Sequence, residues 1–386
     1  MTRCTAIVFL IIIGVITSSA SFCLDPILKA PVKIQADGAD LDADTYSIPR
    51  VYDWNNDGKK DLIIGQRYAD KVRLYLNSGT DAAPVFTTFS NLQAGGVDIY
   101  HAGTGCGAPA PEILDWNNDG KKDLLVGTSD GYVYLYLQSG TSDDGNPQLL
   151  SGTRIQVNSV PFSVGSRAVP CINDWNEDGK KDLLIGNGDG YIIVLINLNT
   201  DGDPRFDSYD YVYADLQPLS VGIRASPRVC DWNGDGYKDI IAGEGNGRIL
   251  FYENIRTNNN PDFSSTKVYL NAGGSQINLV FRSRPCVVDW NNDGLPDILC
   301  GNFDGYVFYF EHFLFTFESI SCNPVFGTIL RWRSRPNDTY TVYCSSDMVQ
   351  WDALDNLVPS QGAITEWSDS LVISETKRLY KIQLNE

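Results

Sequence analysis

The chain has very little histidine and few of the short motifs that mark common catalytic machineries. Only His101 and His312 occur among its 386 residues, and neither has a serine or cysteine motif beside it. The pattern H-E-x-x-H and the glycine-rich phosphate loop are absent. A glycoside hydrolase or lyase needs only two carboxylates or a base. A polysaccharide-active enzyme therefore stays open as the alternative to a non-catalytic protein.

Basic residues and long apolar runs are also scarce. The chain has 30 basic and 48 acidic residues, for a net charge of −18, and this excludes a general binder of nucleic-acid backbones. Arg3, the apolar run 6–16 and the small residues 18–20 predict a signal peptide over 1–20. No later run reaches the roughly 18 apolar residues of a membrane-spanning helix. We expect a secreted, extracellular or periplasmic protein with no transmembrane anchor after cleavage.

Cysteine is the other limited residue, since eight remain once the signal peptide is removed. An even number in an exported chain permits disulfides but does not define their connectivity. The sequence suggests one pair, Cys322 with Cys344. Cys171, Cys286 and Cys300 lie in apolar runs and are predicted to be small buried hydrophobic residues.

A thirteen-residue word, DWNNDGKKDLIIG, begins at Asp53 and returns four times. The other copies begin at Asp115, Asp174, Asp231 and Asp289, at spacings of 57 to 62 residues. Each word leads into an apolar run, a turn and an aromatic, β-branched run, with no sustained helical period. Each repeat therefore predicts four short antiparallel strands, which form one blade of a β-propeller.

The number of blades follows from what the last repeat lacks. The fifth repeat has no outer strand, whereas 30–32 (Ala-Pro-Val) matches the Ala-Pro-Val of 83–85. The start of the mature chain is therefore predicted to complete a ring of five blades over 24–314, and closure removes open sheet edges. Residues 315–386 carry no such word and predict a small C-terminal β-sandwich-like domain. The predicted fold class is all-β: a propeller of four-stranded blades plus that domain.

The words carry oxygen-bearing side chains at positions 1, 3, 5 and 9 and glycine at position 6. Calcium takes six to eight oxygen ligands, and glycine permits the tight turn. The carbonyl of position 7 is a further donor, with its side chain expected to point outward. Position 12 is not the glutamate of an EF-hand. We predict up to five Ca²⁺ ions on these residues: Asp53, Asn55, Asp57, Lys59, Asp61, Asp115, Asn117, Asp119, Lys121, Asp123, Asp174, Asn176, Asp178, Lys180, Asp182, Asp231, Asn233, Asp235, Tyr237, Asp239, Asp289, Asn291, Asp293, Leu295 and Asp297.

These words, each followed by a glycine turn and an aromatic strand, resemble FG-GAP/VCBS repeats, which also occur in integrin α-subunits. The resemblance covers about 26–312. It implies a propeller with calcium in surface loops and an extracellular recognition or adhesion role. Asn at position 3 departs from the commoner Asp and suggests weaker binding at each site. The tryptophan at position 2 is interpreted as packing between blades, with a sugar-stacking platform as the alternative.

Three arginines recur seven residues before a word, namely Arg167, Arg224 and Arg282. Residues just upstream of an inner strand are expected to ring one mouth of the central channel. Arginine pairs well with carboxylates, so an anionic ligand such as an acidic polysaccharide is one interpretation. Salt bridges to neighbouring blades are the other. The sequence thus favours a non-catalytic, calcium-binding module that recognises a glycan or an extracellular protein.

Overall fold

The computed structural model describes 27–101, 108–142, 145–313, 317–323, 327–334, 339–345, 350, 352–362, 364–369 and 379–385. Over these residues the chain is all β, and no helix is long and apolar enough to cross a membrane. The predicted signal peptide lies outside the described residues. The chain divides into two compact units, one of 30–270 and 276–311, the other of 271–275 and 312–386 with the start of the chain.

Five four-stranded antiparallel sheets form the first unit, and we number them as blades 1 to 5. The first strands are Ile48–Tyr52, Ala110–Leu114, Val169–Asn173, Ser226–Cys230 and Arg284–Val288. The second strands are Asp61–Gln66, Asp123–Gly127, Asp182–Gly186, Asp239–Gly243 and Asp297–Gly301. The third strands are Lys71–Tyr75, Val133–Tyr136, Ile192–Leu195, Ile249–Tyr252 and Val307–Phe310. The fourth strands are Ser90–Asn91, Thr153–Arg154, Asp210–Tyr211, Val268–Tyr269 and, for blade 5, Val32–Lys33.

The remaining short strands lie outside these five sheets. Gln35–Ala36 pairs with Ala39–Asp40, and the equivalent hairpins follow in later blades. Their strands are Gln93–Ala94 with Val97–Asp98, Gln156–Val157 with Val160–Pro161, and Tyr213–Ala214 with Gln217–Pro218. Gln138–Thr141 and Pro147–Leu149 form a further pair, and Ser275–Gln276 neighbours Asn271–Ala272 in another sheet.

The start of the chain completes blade 5, as the sequence predicted. Val32 pairs with Tyr309 in antiparallel register, and the Ile34 amide donates to Val307 O at 2.9 Å. Equivalent amides in the other four blades make the same bond to the third strand: Leu92 to Val72, Ile155 to Val133, Val212 to Ile192 and Leu270 to Ile249. Ile34 therefore occupies the position of a regular fourth-strand residue, and the ring of blades closes between its two ends.

The five first strands surround one axis. Each lies beside the first strands of both neighbouring blades, and blade 5 lies beside blade 1. Arg228 of blade 4 reaches Glu112 of blade 2, although these blades are not adjacent. The position three residues before each word therefore lies at the axis. We call its five occupants the axial layer: Arg50, Glu112, Cys171, Arg228 and Cys286.

The glycine that ends each word is required by the neighbouring blade. A Cβ on Gly65 would lie 1.7 Å from Pro109 O, and one on Gly186 would lie 2.3 Å from Ala225 O. The same backbone approach recurs at Gly127, Gly243 and Gly301. Any side chain there would push adjacent blades apart, so this glycine serves interblade contact.

The tryptophan at position 2 of each word packs between blades. The interpretation of these residues as a sugar-stacking platform is therefore wrong. All five are buried, from 1% exposure at Trp54 to 8% at Trp175. Trp175 of blade 3 stacks on Phe263 of blade 4 with ring centres 5.9 Å apart. Trp290 of blade 5 stacks likewise on Phe86 of blade 1 at 6.3 Å. These indoles hold adjacent blades together and leave no face for a sugar.

The second unit contains two antiparallel three-stranded sheets. Their strands are Phe317–Asn323, Gly327–Arg333 and Ile364–Asp369 in one sheet, and Thr339–Ser345, Asp352–Pro359 and Leu379–Asn385 in the other. Residues of both sheets, Trp332 and Tyr340 among them, share one buried cluster. The short strands Ile27–Leu28, Asn271–Ala272 and His312–Phe313 pair in the same unit. The suggested pair of Cys322 with Cys344 stays a prediction, because the side chain of Cys322 lies outside the described part of the structure.

Candidate functional site

Each word folds into a tight loop around its own first carboxylate. Asp53 accepts the amides of Asp57 and Gly58 at 3.1 and 3.0 Å, and Asn55 Oδ1 accepts the Asp57 amide at 3.1 Å. Asp57 in turn accepts the Lys59 amide at 3.0 Å. The same bonds recur in the other four loops. Glycine at position 6 has positive φ throughout, for example 82° at Gly58, which explains its invariance among the five words.

The carboxylate at position 9 also has a structural role that the sequence did not indicate. Asp61 is fully buried and accepts the amides of Trp54 and Asn77 at 2.9 and 2.8 Å. These two hydrogen bonds connect the start of the loop to the turn after the third strand. Burial raises its pKa, although the two amide bonds oppose that shift. In blade 4 burial raises the pKa of the equivalent Asp239 to about 6.

The oxygen atoms at positions 1, 3 and 5 have the chemistry that calcium prefers, a mixture of carboxylate and neutral amide donors. No group of three or more His, Cys, Asp and Glu side chains that could hold a metal ion occurs in the described part of the chain. Position 3 is Asn in each word, and the carboxylate of position 9 already binds two amides. The carboxylates nearest the loop surface are therefore those of positions 1 and 5.

The lysine at position 7 does not point away from the loop as predicted. Lys121 and Lys180 each place Nζ 3.0 Å from the position-5 carboxylate of their own loop, and Lys59 does so at 3.7 Å. The Lys121 hydrogen bond lowers the pKa of Asp119. A turn rich in carboxylates attracts the nearest flexible ammonium group. Blades 4 and 5 have Tyr237 and Leu295 there and carry no such internal cation.

The lysine at position 8 is a residue that sequence reasoning missed. It reaches back to the loop of the preceding blade in four of the five words. Lys60 donates to Asp289 O at 2.5 Å, and Lys238 donates to Asp174 O at 2.5 Å. Lys122 and Lys181 make equivalent bonds to the preceding loops, whereas blade 5 has Pro296 at this position. Its recurrence in the words was a signal, but the partner belongs to another blade.

Two of the three predicted arginines line one cavity near the start of the first strands. Arg167 and Arg282 line one cavity, together with Arg284, which the sequence analysis did not single out. Arg224 does not line it, but its carbonyl accepts Arg284 Nη1 at 3.1 Å. The full lining is Tyr46, Ser47, Ile48, Ala108, Arg167, Ala168, Val169, Arg282, Arg284 and Asn302, with no acidic residue among these described positions. We call this cavity the arginine mouth.

The arginine mouth is strongly positive for so acidic a protein. Arg284 is 7% exposed, and burial, followed by the charges of Arg282, Arg224 and Arg167, lowers its pKa to about 9. Arg167 Nε is buried and has no hydrogen-bond partner. The salt-bridge interpretation therefore fails to account for Arg167 Nε, while Arg50 and Arg228 do pair with Glu112. An anion in the cavity would relieve the mutual repulsion of these guanidinium groups.

Aromatic rings border the same mouth. The Arg282 guanidinium lies 3.7 Å from the centre of the Tyr46 ring. Tyr46 also meets Phe303, and Phe303 meets Phe281, which is 53% exposed. Guanidinium groups beside an exposed ring can bind a carboxylate and the apolar face of a sugar at once.

The FG-GAP-like repeat family matches the chain twice, over residues 174–242 and 231–300. Integrin alpha-8 of Gallus gallus is 33% identical over 87 residues, which is 19% of this chain and 8% of the integrin. Integrin alpha-8 of Mus musculus is 34% identical over 87 residues, with the same two coverages. The chain thus matches a small part of these curated relatives.

Two solved structures are also similar. The Tc holotoxin pore of Photorhabdus luminescens has a TM-score of 0.38 and 12% identity, over 82% of this chain and 16% of that one. A glycoside hydrolase has a TM-score of 0.35 and 10% identity, over 93% of this chain and 94% of that one. The repeated words, the five blades and the two repeat matches agree with one another. The chain therefore carries FG-GAP-like repeats over residues 174–300.

Proposed function

We propose that this propeller is a secreted, calcium-binding recognition or adhesion module that binds an acidic glycan, or an acidic segment of a surface protein, at the arginine mouth. One observation supports the proposal above the others. Arg167, Arg282 and Arg284 line a single cavity that has no acidic residue in its described lining. The rest of the protein is strongly acidic, with a net charge of −18.

The electrostatic field of the arginine mouth explains why a carboxylate would bind there. A cavity with charge of one sign and low-dielectric walls focuses its field on ligands of the opposite sign. Arginine also offers paired N–H donors that match the two oxygens of a carboxylate. The aromatic border of Tyr46 and Phe281 adds apolar surface for the ring of a uronic acid. A carboxylated sugar chain therefore fits this site better than a neutral glycan does.

Binding of polygalacturonate and alginate fragments, measured by calorimetry, tests the proposal. The variant Arg167→Ala/Arg224→Ala/Arg282→Ala should lose at least roughly tenfold in affinity, because a charge-assisted pair contributes about 1.5–3 kcal/mol. A matched control replaces three exposed arginines by alanine: Arg205, Arg256 and Arg331, which are 62%, 51% and 56% exposed. Equal binding by both triple variants would refute the site. Release of shortened products from the fragments would instead indicate the enzyme alternative.

In this proposal calcium has a structural role. The ions would be held by the oxygens of loop positions 1, 3 and 5 and the carbonyl of position 7, with the buried position-9 carboxylate behind them. Calcium supplies positive charge that offsets the clustered carboxylates of each loop. The loops precede the second strands, whereas Arg167 and Arg282 precede first strands and Arg284 begins one. Calcium would thus fix the blades that carry the mouth without touching its ligand.

A further inference from the structure

The axial layer has an unbalanced charge. Arg50 and Arg228 are 4% and 6% exposed, and both pair with the same oxygen of one carboxylate, Glu112 Oε2, at 2.8 and 3.4 Å. Two guanidinium groups thus share a single counter-charge. Burying an ion without its counter-charge is costly, and hydrogen bonds alone do not remove that cost.

The other members of the layer do not supply the missing charge. Burial raises the pKa of Cys171 to about 12 and that of Cys286 to about 11, so both thiols are neutral near pH 7. Burial also raises the pKa of Glu112, although Arg50 opposes that shift. The excess positive charge therefore has no partner among the five residues of the layer.

Hydrogen bonds hold both guanidinium groups in place and leave one nitrogen atom of each without a partner. Arg228 donates from Nε to Pro285 O at 3.1 Å and from Nη1 to Pro170 O and Pro227 O at 3.0 and 2.8 Å. Arg50 donates from Nη1 to Pro49 O at 2.5 Å. In each arginine Nη2 is buried and has no hydrogen-bond partner. Anion-binding sites in proteins combine positive charge with N–H donors that have no other partner, and these two Nη2 groups have both properties.

The strand that carries Arg228 offers one further donor. Ser226 lies two residues earlier and therefore on the same face of that strand. Its hydroxyl is fully buried and has no hydrogen-bond partner. Ser226 Oγ is thus a further buried donor without a partner on the axial face of that strand.

We propose that the propeller axis holds one small monoanion, a halide or a carboxylate, bound by Nη2 of Arg50 and Nη2 of Arg228. This site is separate from the arginine mouth and does not depend on the proposed function. It gives the five blades a common central contact, since Arg50 and Arg228 already bond to carbonyls or carboxylates of other blades. The anion would stabilise the assembled ring.

Thermal unfolding in sodium chloride and in sodium acetate tests the proposal, with ionic strength held constant by a bulky sulfonate salt. Raising either anion from about 1 to about 100 mM should raise the melting temperature by several degrees, because a ligand of the folded state stabilises it by mass action. A response to chloride alone identifies a halide site, and a response to acetate alone identifies a carboxylate site. A melting temperature that depends on neither anion overturns the proposal.

Variants locate the effect. Arg228→Met should abolish the anion dependence, whereas Arg205→Met, at an arginine that pairs with Asp207 on the surface, should leave it unchanged. Loss of dependence in both variants, or in neither, contradicts the assignment. The mouth variant Arg167→Ala/Arg282→Ala should keep the dependence. If it loses the dependence instead, the responsive anion lies at the mouth and the axial site is wrong.

A second variant keeps the test decisive if Arg228→Met does not fold. Glu112→Gln preserves the shape of the side chain and removes the one negative charge that competes for both guanidinium groups. The anion concentration that gives half of the stabilisation should fall several-fold in this variant. An unchanged or higher midpoint would count against an anion at the axis.

Discussion

At the scale of single residues, lysine at position 7 divides the five loops into two kinds. The ammonium groups of Lys121 and Lys180 lie 3.0 Å from the carboxylates that calcium would need, while blades 4 and 5 carry Tyr237 and Leu295 instead. A cation bound to the loop must displace the ammonium or share a carboxylate with it. Loops without the lysine are therefore expected to bind calcium more tightly.

The variant Lys121→Met tests this expectation. Removing an exposed ion pair of about 0.2–1 kcal/mol should raise the calcium affinity of that loop by roughly two- to fivefold. Calcium titration of the variant and the parent protein by calorimetry measures the change. Lys267→Met, at an exposed lysine outside the words, is the matched control. Equal affinities in all three proteins would show that the ammonium does not compete.

The same residues mark the limit of the sequence-based reasoning. The oxygen-bearing positions and glycine turns of the words were readable from their spacing, because a tight loop is a local structure. The direction of the Lys121 side chain and the burial of Asp61 were not, since each depends on a competition among neighbouring charges and amides. The bond from Lys60 to the blade 5 loop was even harder to predict from sequence, because it joins residues 229 positions apart.

At the scale of the element, the ring depends on the strand Val32–Lys33, which completes blade 5 and is called the closing strand. Its role was predictable because Ala-Pro-Val at 30–32 repeats a motif of blade 1, and the structure confirms it with the Ile34 amide bonded to Val307 O at 2.9 Å. The axial pairing was not predictable. Glu112 stands at the repeat position that holds Arg50 in blade 1 and Arg228 in blade 4, and only the ring geometry brings the three together.

Ile34→Pro should break the closure. Proline removes the donor to Val307 O and should cost about 3 kcal/mol or more within a paired strand. Val212→Pro removes the equivalent bond to Ile192 O in blade 3 and is the matched control. Both variants should be less stable in urea. Limited proteolysis should cut near 34 only in Ile34→Pro, and protection of that segment in the variant would argue against its role in closure.

At the scale of the whole molecule, the acidic charge is distributed as the repeats dictate. Fifteen of the 48 acidic residues are the aspartates of the five words, so much of the net charge of −18 is concentrated in their loops. Such clusters repel one another unless cations neutralise them. The proposed calcium ions would therefore act on the stability of the whole propeller.

Calcium removal is expected to lower the melting temperature. At a hundredfold excess over the dissociation constant, each independent site contributes about 2.7 kcal/mol, so EGTA should shift the midpoint by several degrees in a scanning calorimeter. Restoring calcium should reverse the shift, and the same concentration of magnesium should not. A midpoint that stays constant through chelation and restoration would be incompatible with calcium in the loops.

The closing strand also imposes an order on synthesis. Blade 5 pairs Val32 with Tyr309, so one sheet joins the first and the last strands of the propeller. A ribosome releases the start of the chain long before its partner exists, and contacts between such distant residues form slowly. Blades 1 to 4 can form during translation, whereas the edge of blade 5 stays unpaired until the last repeat emerges. During that interval the nascent propeller has an open sheet edge and is at its most prone to aggregation.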